Sequence, residues 1–230
     1  MENNEKILII DFGSQYTQLI TRRIREANVY SEIHSHKISY DEVIKFNPIG
    51  IILSGGPMSV YDSEAPDLDQ RILQTNVPIL GICYGLQLIS KKLGGKVEPA
   101  KDREYGRAVL NVVDTSLLFE NIKKESKVWM SHGDYLTELP SGFKVIAKSD
   151  HSPIGAVSNE TEKIYGVQFH PEVVHTDEGK KIIDNFLFNI CKCTGSWNPH
   201  NFIEKSIAEI KDQVKDAKVI CALSGGVDQQ

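Results

Sequence analysis

Three short runs of apolar residues limit the folds open to this chain more than any other feature. They are KILIID at 6–11, IGIILSGG at 49–56 and VPILGIC at 77–83. None alternates apolar with polar residues, so each predicts a β-strand buried on both faces, as in a parallel sheet covered by helices. The second run ends in two glycines, and the third ends in a cysteine two residues after a glycine. Such strand ends are where open parallel sheets bind ligands.

Helical patterns lie between these runs, and further strand-like runs follow them. Segments 12–29, 65–76 and 84–95 have the pattern of helices, and 177–192 predicts an amphipathic helix near the end of the domain. The later strand-like runs are AVLNVV (108–113), KVWMS (127–131), KVIAKS (144–149), IGAVSN (154–159) and IYGVQFH (164–170). The sequence therefore predicts an α/β fold with a mostly parallel central sheet, helices on both faces and a mixed or antiparallel strand extension.

A change in composition predicts a domain boundary near residue 193. The segment CTGSWNPHN (193–201) is rich in turn-forming residues. Beyond it the sequence predicts a helix at 202–216 and an apolar strand within 218–228 that ends in glycines. A strand of this kind leads into another helix in α/β proteins. We therefore expect residues 1–193 to form the α/β domain and residues 194–230 to be a linker and the start of a second domain.

Composition argues against several classes of function. The chain has 230 residues, 40% of them apolar and 25% charged, with a net charge of −5. These values are typical of a globular protein and unlike the basic surface of a nucleic-acid-binding protein. The amino terminus lacks the pattern of a signal peptide and no run is long enough to cross a bilayer, so we expect a cytoplasmic protein that does not bind membranes. The four cysteines are too few for a disulfide scaffold, and their spacing predicts no metal site.

A cysteine lies between two glycines at the point where a predicted strand becomes a helix. The segment Gly81-Ile82-Cys83-Tyr84-Gly85 has the spacing of the nucleophile elbow G-x-S-x-G, with Cys in place of Ser. The amino terminus of the following helix favours a thiolate, but by only about 0.3–2 kcal/mol. A nucleophile at this position therefore also needs a base. The alternative is a buried cysteine of the core, which is common for this residue type.

The best candidate for that base is in the segment GVQFHPEV (166–173). His170 is expected at the end of a strand, and Glu172 follows two residues later. In an extended chain residues i and i+2 face the same way, so the Glu172 carboxylate can reach the imidazole and fix its tautomer. The alternative is a structural His–Glu pair at a strand end. The presence of the cysteine elbow favours the catalytic interpretation.

A second glycine-rich strand end, LSGGPMS at 53–59, is a candidate oxyanion site. Because Pro57 has no N–H, Gly55 and Gly56 are the donors available there, and the N–H of Tyr84 could join them. A plain strand-to-helix turn is the alternative for a single SGG.

The motifs GICYGLQLI, LSGGP and FHPEV together resemble those of the class I (triad) glutamine amidotransferases, over about residues 6–192. The resemblance implies a flavodoxin-like fold and hydrolysis of L-glutamine without a cofactor in this domain. It implies that Cys83 forms a γ-glutamyl thioester, that His170 transfers protons and that Glu172 orients His170. Gly56 and Tyr84 would bind the oxyanion. The implied glutamine-binding positions are Gly55, Gln87, Ser131, Gly133 and Asp134.

The segments IDFGSQYTQLITRRIRE, SHGD and GVQFHPEVVHT resemble the branch of this class that makes GMP. So does the final segment ALSGGVD, which is similar to the start of a pyrophosphate-binding loop, S-G-G-x-D-S. The match stops at Gln229, where that branch has Ser. The loop residues are Ser224, Gly225, Gly226, Val227 and Asp228.

In that branch a synthetase (ATP pyrophosphatase) domain uses ATP and Mg²⁺ to activate XMP, which ammonia then converts into GMP. The resemblance implies that this synthetase domain is the partner of the present one and that the complete enzyme is a homodimer formed through it. This chain, which lacks most of that domain, is then expected to be a monomer with at most weak glutaminase activity.

Three other interpretations stay open at this point. The first is an amidotransferase subunit of the anthranilate or aminodeoxychorismate type, although such a chain has no reason to end in ALSGGVD. The second is a catalytically silent regulatory module, although such a module needs no Cys83–His170–Glu172 set. The third is a cysteine hydrolase of γ-glutamyl peptides, which would need a more open pocket.

Overall fold

The structure, a computed structural model, describes residues 5–149, 152–215 and 217–220. The chain divides into two compact units between Ser196 and Trp197. The assignment of residues 194–230 to the start of a second enzyme domain stays a prediction.

The described part of the first unit contains one sheet of nine strands, in the order β2-β1-β3-β4-β9-β8-β7-β5-β6. The strands β2, β1, β3, β4 and β9 pair in parallel. The pairs β9·β8, β8·β7, β7·β5 and β5·β6 are antiparallel. The strands are β1 (Lys6–Asp11), β2 (Tyr30–Ser35), β3 (Gly50–Leu53), β4 (Ile79–Ile82), β5 (Lys96–Val112), β6 (Glu125–Glu138), β7 (Lys144–Ser149), β8 (Ala156–Asn159) and β9 (Ile164–Val167).

The first unit has four α-helices in its described part, and both faces of the sheet are covered. They are α1 (Thr17–Glu26), α2 (Tyr40–Phe46), α3 (Tyr84–Lys92) and α4 (Gly179–Asp184), which continues as a π-helix over Asn185–Ile190. Alternate residues of β1 enter two separate cores: Ile7 and Ile9 lie in the core that includes residues of α1 and α4. Leu8 and Ile10 lie in the core that includes residues of α2 and α3. The predicted α/β class, with helices on both faces and an antiparallel extension, is confirmed.

The helix predicted over 65–76 is wrong. The structure has only a short 3₁₀ helix at Gln70–Gln74, which begins where the Asp69 side chain accepts a hydrogen bond from the Arg71 N–H. Pro66 disfavours helical geometry in the residue before it, and Asn76, with φ of 59°, closes the segment in a left-handed conformation. The apolar residues Leu68, Ile72 and Leu73 are buried nonetheless. The helical spacing therefore reflected burial and not a continuous helix.

Two further differences concern one strand and one helix. The strand predicted at 164–170 ends at Val167 and belongs to the parallel part, since β9 pairs in parallel with β4. Helix α2 was not predicted, although Ser39 and Glu42 form a capping box at its start, a pattern that can be read from sequence.

The second unit is described in part. Helix α5 runs from Pro199 to Val214, close to the helix predicted at 202–216. Residues 217–220 form no strand, and residues 221–228 of the predicted strand lie outside the described residues.

Candidate active site

Cys83 is the single residue between β4 and α3, and its backbone is strained. It has φ of 51° and ψ of −105°, outside the regions that non-glycine residues favour. Backbone hydrogen bonds hold it there: the Cys83 N–H donates to the Val167 carbonyl at 2.8 Å, and the Gly85 N–H donates to the Ser54 carbonyl at 3.1 Å. The predicted elbow is therefore present in the structure.

The two glycines of the elbow are required by space. A Cβ added at Gly81 would lie 2.7 Å from the carbonyl carbon of Gly85, and one at Gly85 would lie 2.4 Å from the Leu53 carbonyl oxygen. Real Cβ atoms essentially never approach other atoms this closely. The turn can form only if both positions lack a side chain.

His170 and Glu172 form a buried pair beside the elbow. The His170 Nδ1 lies 2.8 Å from the Glu172 Oε1, with 3% of His170 and none of Glu172 exposed. Neither residue lies in the extended chain predicted for them: β9 ends at Val167, residues 168–169 form a bend and Glu172 lies in a turn. The Trp129 carbonyl accepts from the His170 N–H at 3.0 Å. The Arg23 Nε donates to the Glu172 carbonyl at 3.1 Å.

Burial alone would lower the pKa of His170, because it disfavours the charged imidazolium. The negative charge of Glu172 and the hydrogen bonds to Cys83 and Glu172 outweigh burial and hold the pKa of His170 well above its usual value. Since Glu172 takes the Nδ1–H, the Nε2 is the atom left to exchange a proton with the Cys83 thiol. This geometry fits the predicted pair of a thiol, Cys83, and its base, His170.

The candidate oxyanion site lies at the ends of β3 and β4. Gly56 lines the same cleft as Cys83, and a Cβ added to it would lie 2.8 Å from the Phe12 carbonyl oxygen. Tyr84 begins α3, so its N–H is one of the first-turn donors that a helix itself cannot satisfy. Burial, together with the nearby Asp67 and Asp62, raises the pKa of the Tyr84 phenol to about 12. The phenol donates to the Pro66 carbonyl, so only the backbone of Tyr84 remains for an oxyanion.

A cleft of about 830 Å³ opens above Cys83 and His170. The predicted glutamine-binding positions Gln87, Ser131, Gly133 and Asp134 all line it. Gly55 is not among the lining residues, and a Cβ added there would be 3.0 Å from the His170 Cε1. The SHGD segment of residues 131–134 is part of strand β6.

Two polar residues near the site, Gln168 and Glu104, were missed in the sequence. The Gln168 Nε2 lies 3.7 Å from the Cys83 Sγ. The His132 Nε2 lies 3.2 Å from the Glu104 Oε2, and the His132 Nδ1 lies 3.0 Å from the Asp134 carbonyl oxygen. Gln168, two residues before His170 in the predicted strand, could have been noticed for its position. Nothing in the sequence links Glu104 to His132.

Metal sites and membrane-spanning helices can be assessed within the residues that the structure describes. No group of three or more His, Cys, Asp or Glu side chains there could hold a metal ion. No helix among the same residues has the length and apolar character required to cross a membrane. The predicted nucleotide loop at 224–228 lies outside the described residues.

Comparison with known proteins agrees with this geometry. Residues 8–190 match the family model "Glutamine amidotransferase class-I". A solved structure of a glutamine amidotransferase from Thermotoga maritima has the same fold, with a TM-score of 0.61 at 22% identity over 92% of this chain and 93% of that one. The chain belongs to the class I glutamine amidotransferase family, as the sequence motifs had indicated.

The similar curated proteins are more specific. A "GMP synthase [glutamine-hydrolyzing]" from Brachyspira hyodysenteriae is 54% identical over 99% of this chain, and one from Bacillus subtilis is 54% identical over 98%. The chain spans only 45% and 44% of the length of these relatives. A solved structure from Thermoplasma acidophilum, assigned as one subunit of GMP synthase, is 33% identical with a TM-score of 0.71, over 87% of this chain and 98% of that chain.

Proposed function

We propose that this chain hydrolyses L-glutamine to glutamate and ammonia, and that it is the glutaminase half of a GMP synthase. The observation that carries the proposal is the set of Cys83, His170 and Glu172. Cys83, on a strained elbow, and His170 line one cleft, and the buried Glu172 pairs with His170 behind them. Strain of this kind is found where the position of a side chain matters for function.

The first half of the proposed reaction forms a thioester. The Cys83 thiol gives its proton to the His170 Nε2, and the thiolate attacks the side-chain amide carbon of glutamine. The amide oxygen becomes an oxyanion, which the N–H groups of Gly56 and Tyr84 stabilise. The protonated His170 then donates its proton to the departing nitrogen, the C–N bond breaks and ammonia leaves.

The second half releases glutamate. A water molecule gives a proton to the His170 Nε2 and attacks the thioester carbon. The C–S bond breaks, the Cys83 thiolate leaves, and the proton on His170 returns to the sulfur. Glu172 stabilises the imidazolium in both halves, in agreement with the raised pKa of His170. Glutamine and water are consumed, and glutamate and ammonia are formed.

The printed names of the relatives support GMP synthesis as the use of the ammonia. In this proposal a synthetase domain with ATP and Mg²⁺ activates XMP, and ammonia from glutamine completes GMP. Residues 224–228 would contribute to the ATP-binding loop of that domain. We place the enzyme in the cytoplasm and expect a homodimer for the complete enzyme and a monomer for this chain. The names of the same relatives disfavour an amidotransferase of another pathway.

The test is the intact mass of the chain after incubation with an electrophilic glutamine analogue that carries a diazoketone. We expect a single adduct that is lost in Cys83→Ala and kept in Cys193→Ala, a matched control at a buried thiol outside the cleft. Production of glutamate from glutamine, followed in the same variants, should have the same pattern. A folded chain that gives no adduct, or one whose adduct survives in Cys83→Ala, would refute the proposal.

A further inference from the structure

We infer that Gln168 is a further catalytic residue, whose side-chain N–H donates a hydrogen bond to the Cys83 sulfur and stabilises its thiolate form. This inference rests on the proposed role of Cys83 as the nucleophile. The Gln168 Nε2 lies 3.7 Å from the Cys83 Sγ, within the range for hydrogen bonds to sulfur, and both residues are buried. Donation to a charged acceptor is stronger than to a neutral one, so the contact favours the thiolate over the thiol.

The orientation of the Gln168 amide is fixed by a chain of contacts that ends on the backbone. The Gln87 Nε2 lies 2.9 Å from the Asp134 carbonyl oxygen, which can only accept a hydrogen bond. The Gln87 amide must therefore present its NH₂ group there. The same nitrogen lies 3.4 Å from the Gln168 side chain, so the atom it faces must be the Gln168 oxygen. The Gln168 NH₂ group is then the end that faces Cys83.

The backbone also holds Gln168 firmly in place. Gln168 follows β9 directly, its N–H donates to the Gly155 carbonyl at 2.9 Å, and its side chain is fully buried. A buried amide is costly unless its polar atoms have partners. Here the oxygen is paired with Gln87 and the nitrogen faces sulfur. The side chain is thus preorganised to meet a negative charge on Cys83.

A second contact acts in the opposite direction. The Cys83 Sγ lies 3.6 Å from the Ser131 carbonyl oxygen, which can accept from a thiol but repels a thiolate. Without the Gln168 donor, the sulfur would have this carbonyl and His170 as its polar neighbours. Gln168 offsets the carbonyl and helps His170 to take the proton. The same donor would stabilise the thiolate again when it leaves the thioester.

Other titratable groups near Cys83 could also change the ionisation of its sulfur. The titratable side chains on the walls of the cleft are Tyr16, Asp62, Tyr105, His132, Asp134 and His170. Behind them lie Glu172, paired with His170, and Glu104, next to His132. The variants proposed below leave all of these unchanged, so a change in thiol titration reports on the amide at position 168.

The test measures the rate at which iodoacetamide alkylates Cys83 as a function of pH, by peptide mass spectrometry, in the full chain. Gln168→Met keeps the approximate length and removes the donor, and Gln168→Glu places an acceptor at the same position. We expect the midpoint of the pH dependence to rise by about one pH unit in Gln168→Met, which makes alkylation roughly tenfold slower below the midpoint. It should rise further in Gln168→Glu. The control is Gln18→Met, at an exposed position on α1, which should leave the midpoint unchanged.

The order of the variants separates a catalytic role from a structural one. A purely structural effect, loss of packing, would lower the melting temperature. It would not make the alkylation midpoint rise in the order Gln, Met, Glu at position 168. A folded Gln168→Met protein with the midpoint of the original chain would overturn the inference. If substitution at 168 prevents folding, Gln87→Leu serves instead, because it frees the Gln168 amide to turn, and an unchanged midpoint there counts against the inference. Alkylation by iodoacetamide needs no glutamine site, so a shift in the midpoint together with no adduct from the glutamine analogue would refute the proposed function alone.

Discussion

Substitution of Gly85 by Ala should displace the cysteine elbow and remove most of the reactivity of Cys83. The added Cβ would lie 2.4 Å from the Leu53 carbonyl oxygen, 2.7 Å from the Leu53 Cβ and 2.9 Å from the Leu53 carbonyl carbon. Ordinary contacts begin at 3.4 Å, so α3 or β3 must move by about 1 Å. Two of the three atoms belong to the backbone of a central strand, and no side-chain rotation can relieve the clash.

Two opposing effects determine how much Gly85→Ala changes the free energy of unfolding. Ala is better than Gly in a helix by about 1 kcal/mol. Overpacking of a core costs about 1–3 kcal/mol or more, and the backbone clash at Gly85 places this variant at the upper end. We expect a net loss of about 2 kcal/mol in the free energy of unfolding. A displacement of about 1 Å at a reacting atom can reduce the rate roughly 100-fold.

The assay has two readouts and one matched control. Urea unfolding measures the stability. The rate of adduct formation with the electrophilic glutamine analogue measures the reactivity of Cys83, which depends on the geometry of the elbow. The control is Gly94→Ala, at a position where no atom lies within 4 Å of the added Cβ but φ is +90°. Its loss of stability, about 1 kcal/mol, comes from backbone strain alone and should leave the adduct rate unchanged. Equal adduct rates in Gly85→Ala and Gly94→Ala would refute the reasoning.

Three further predictions concern titration. In Glu172→Gln the pKa of His170 should fall, because the negative charge that offsets the effect of burial on this pKa is gone. NMR titration of the His170 ring measures the pKa, and an unchanged midpoint would contradict the prediction. Because the folded-state pKa of His170 lies above its unfolded value of about 6.5, the imidazolium stabilises the fold fully below that pH, and this stabilisation is lost as the pH rises through the folded-state pKa. The stability difference between the original chain and Glu172→Gln, from urea unfolding, should therefore shrink as the pH rises from about 6.5 through the folded-state pKa of His170. Burial raises the pKa of Cys191 well above its usual value and that of Cys193 to about 12. Iodoacetamide at neutral pH should therefore modify Cys83 long before either of these thiols, because the thiolate is the reactive form. Peptide mapping checks this, and modification of Cys191 or Cys193 before Cys83 would contradict it.

Local sequence patterns predicted the structure correctly where a short segment determines its own geometry. The apolar runs of β1, β3 and β4 are buried on both faces, as a parallel strand requires. The elbow could be predicted because its geometry depends on a short segment with glycines at fixed offsets. The same reasoning failed at residues 65–76, where spacing alone cannot distinguish a helix from an irregular segment with buried side chains.

The sequence by itself determined the class of fold, the nucleophile elbow and the pairing of His170 with Glu172, because these depend on periodicity or on residues close together in the chain. Only the tertiary structure decided what surrounds the Cys83 sulfur. Ser131 is 48 positions and Gln168 is 85 positions from Cys83, and they arrive on β6 and just after β9. Contacts over such separations leave no local pattern, since they depend on the order in which the strands pair. The sheet order, with β9 beside β4, brings Gln168 and His170 to the end of the strand that carries Cys83.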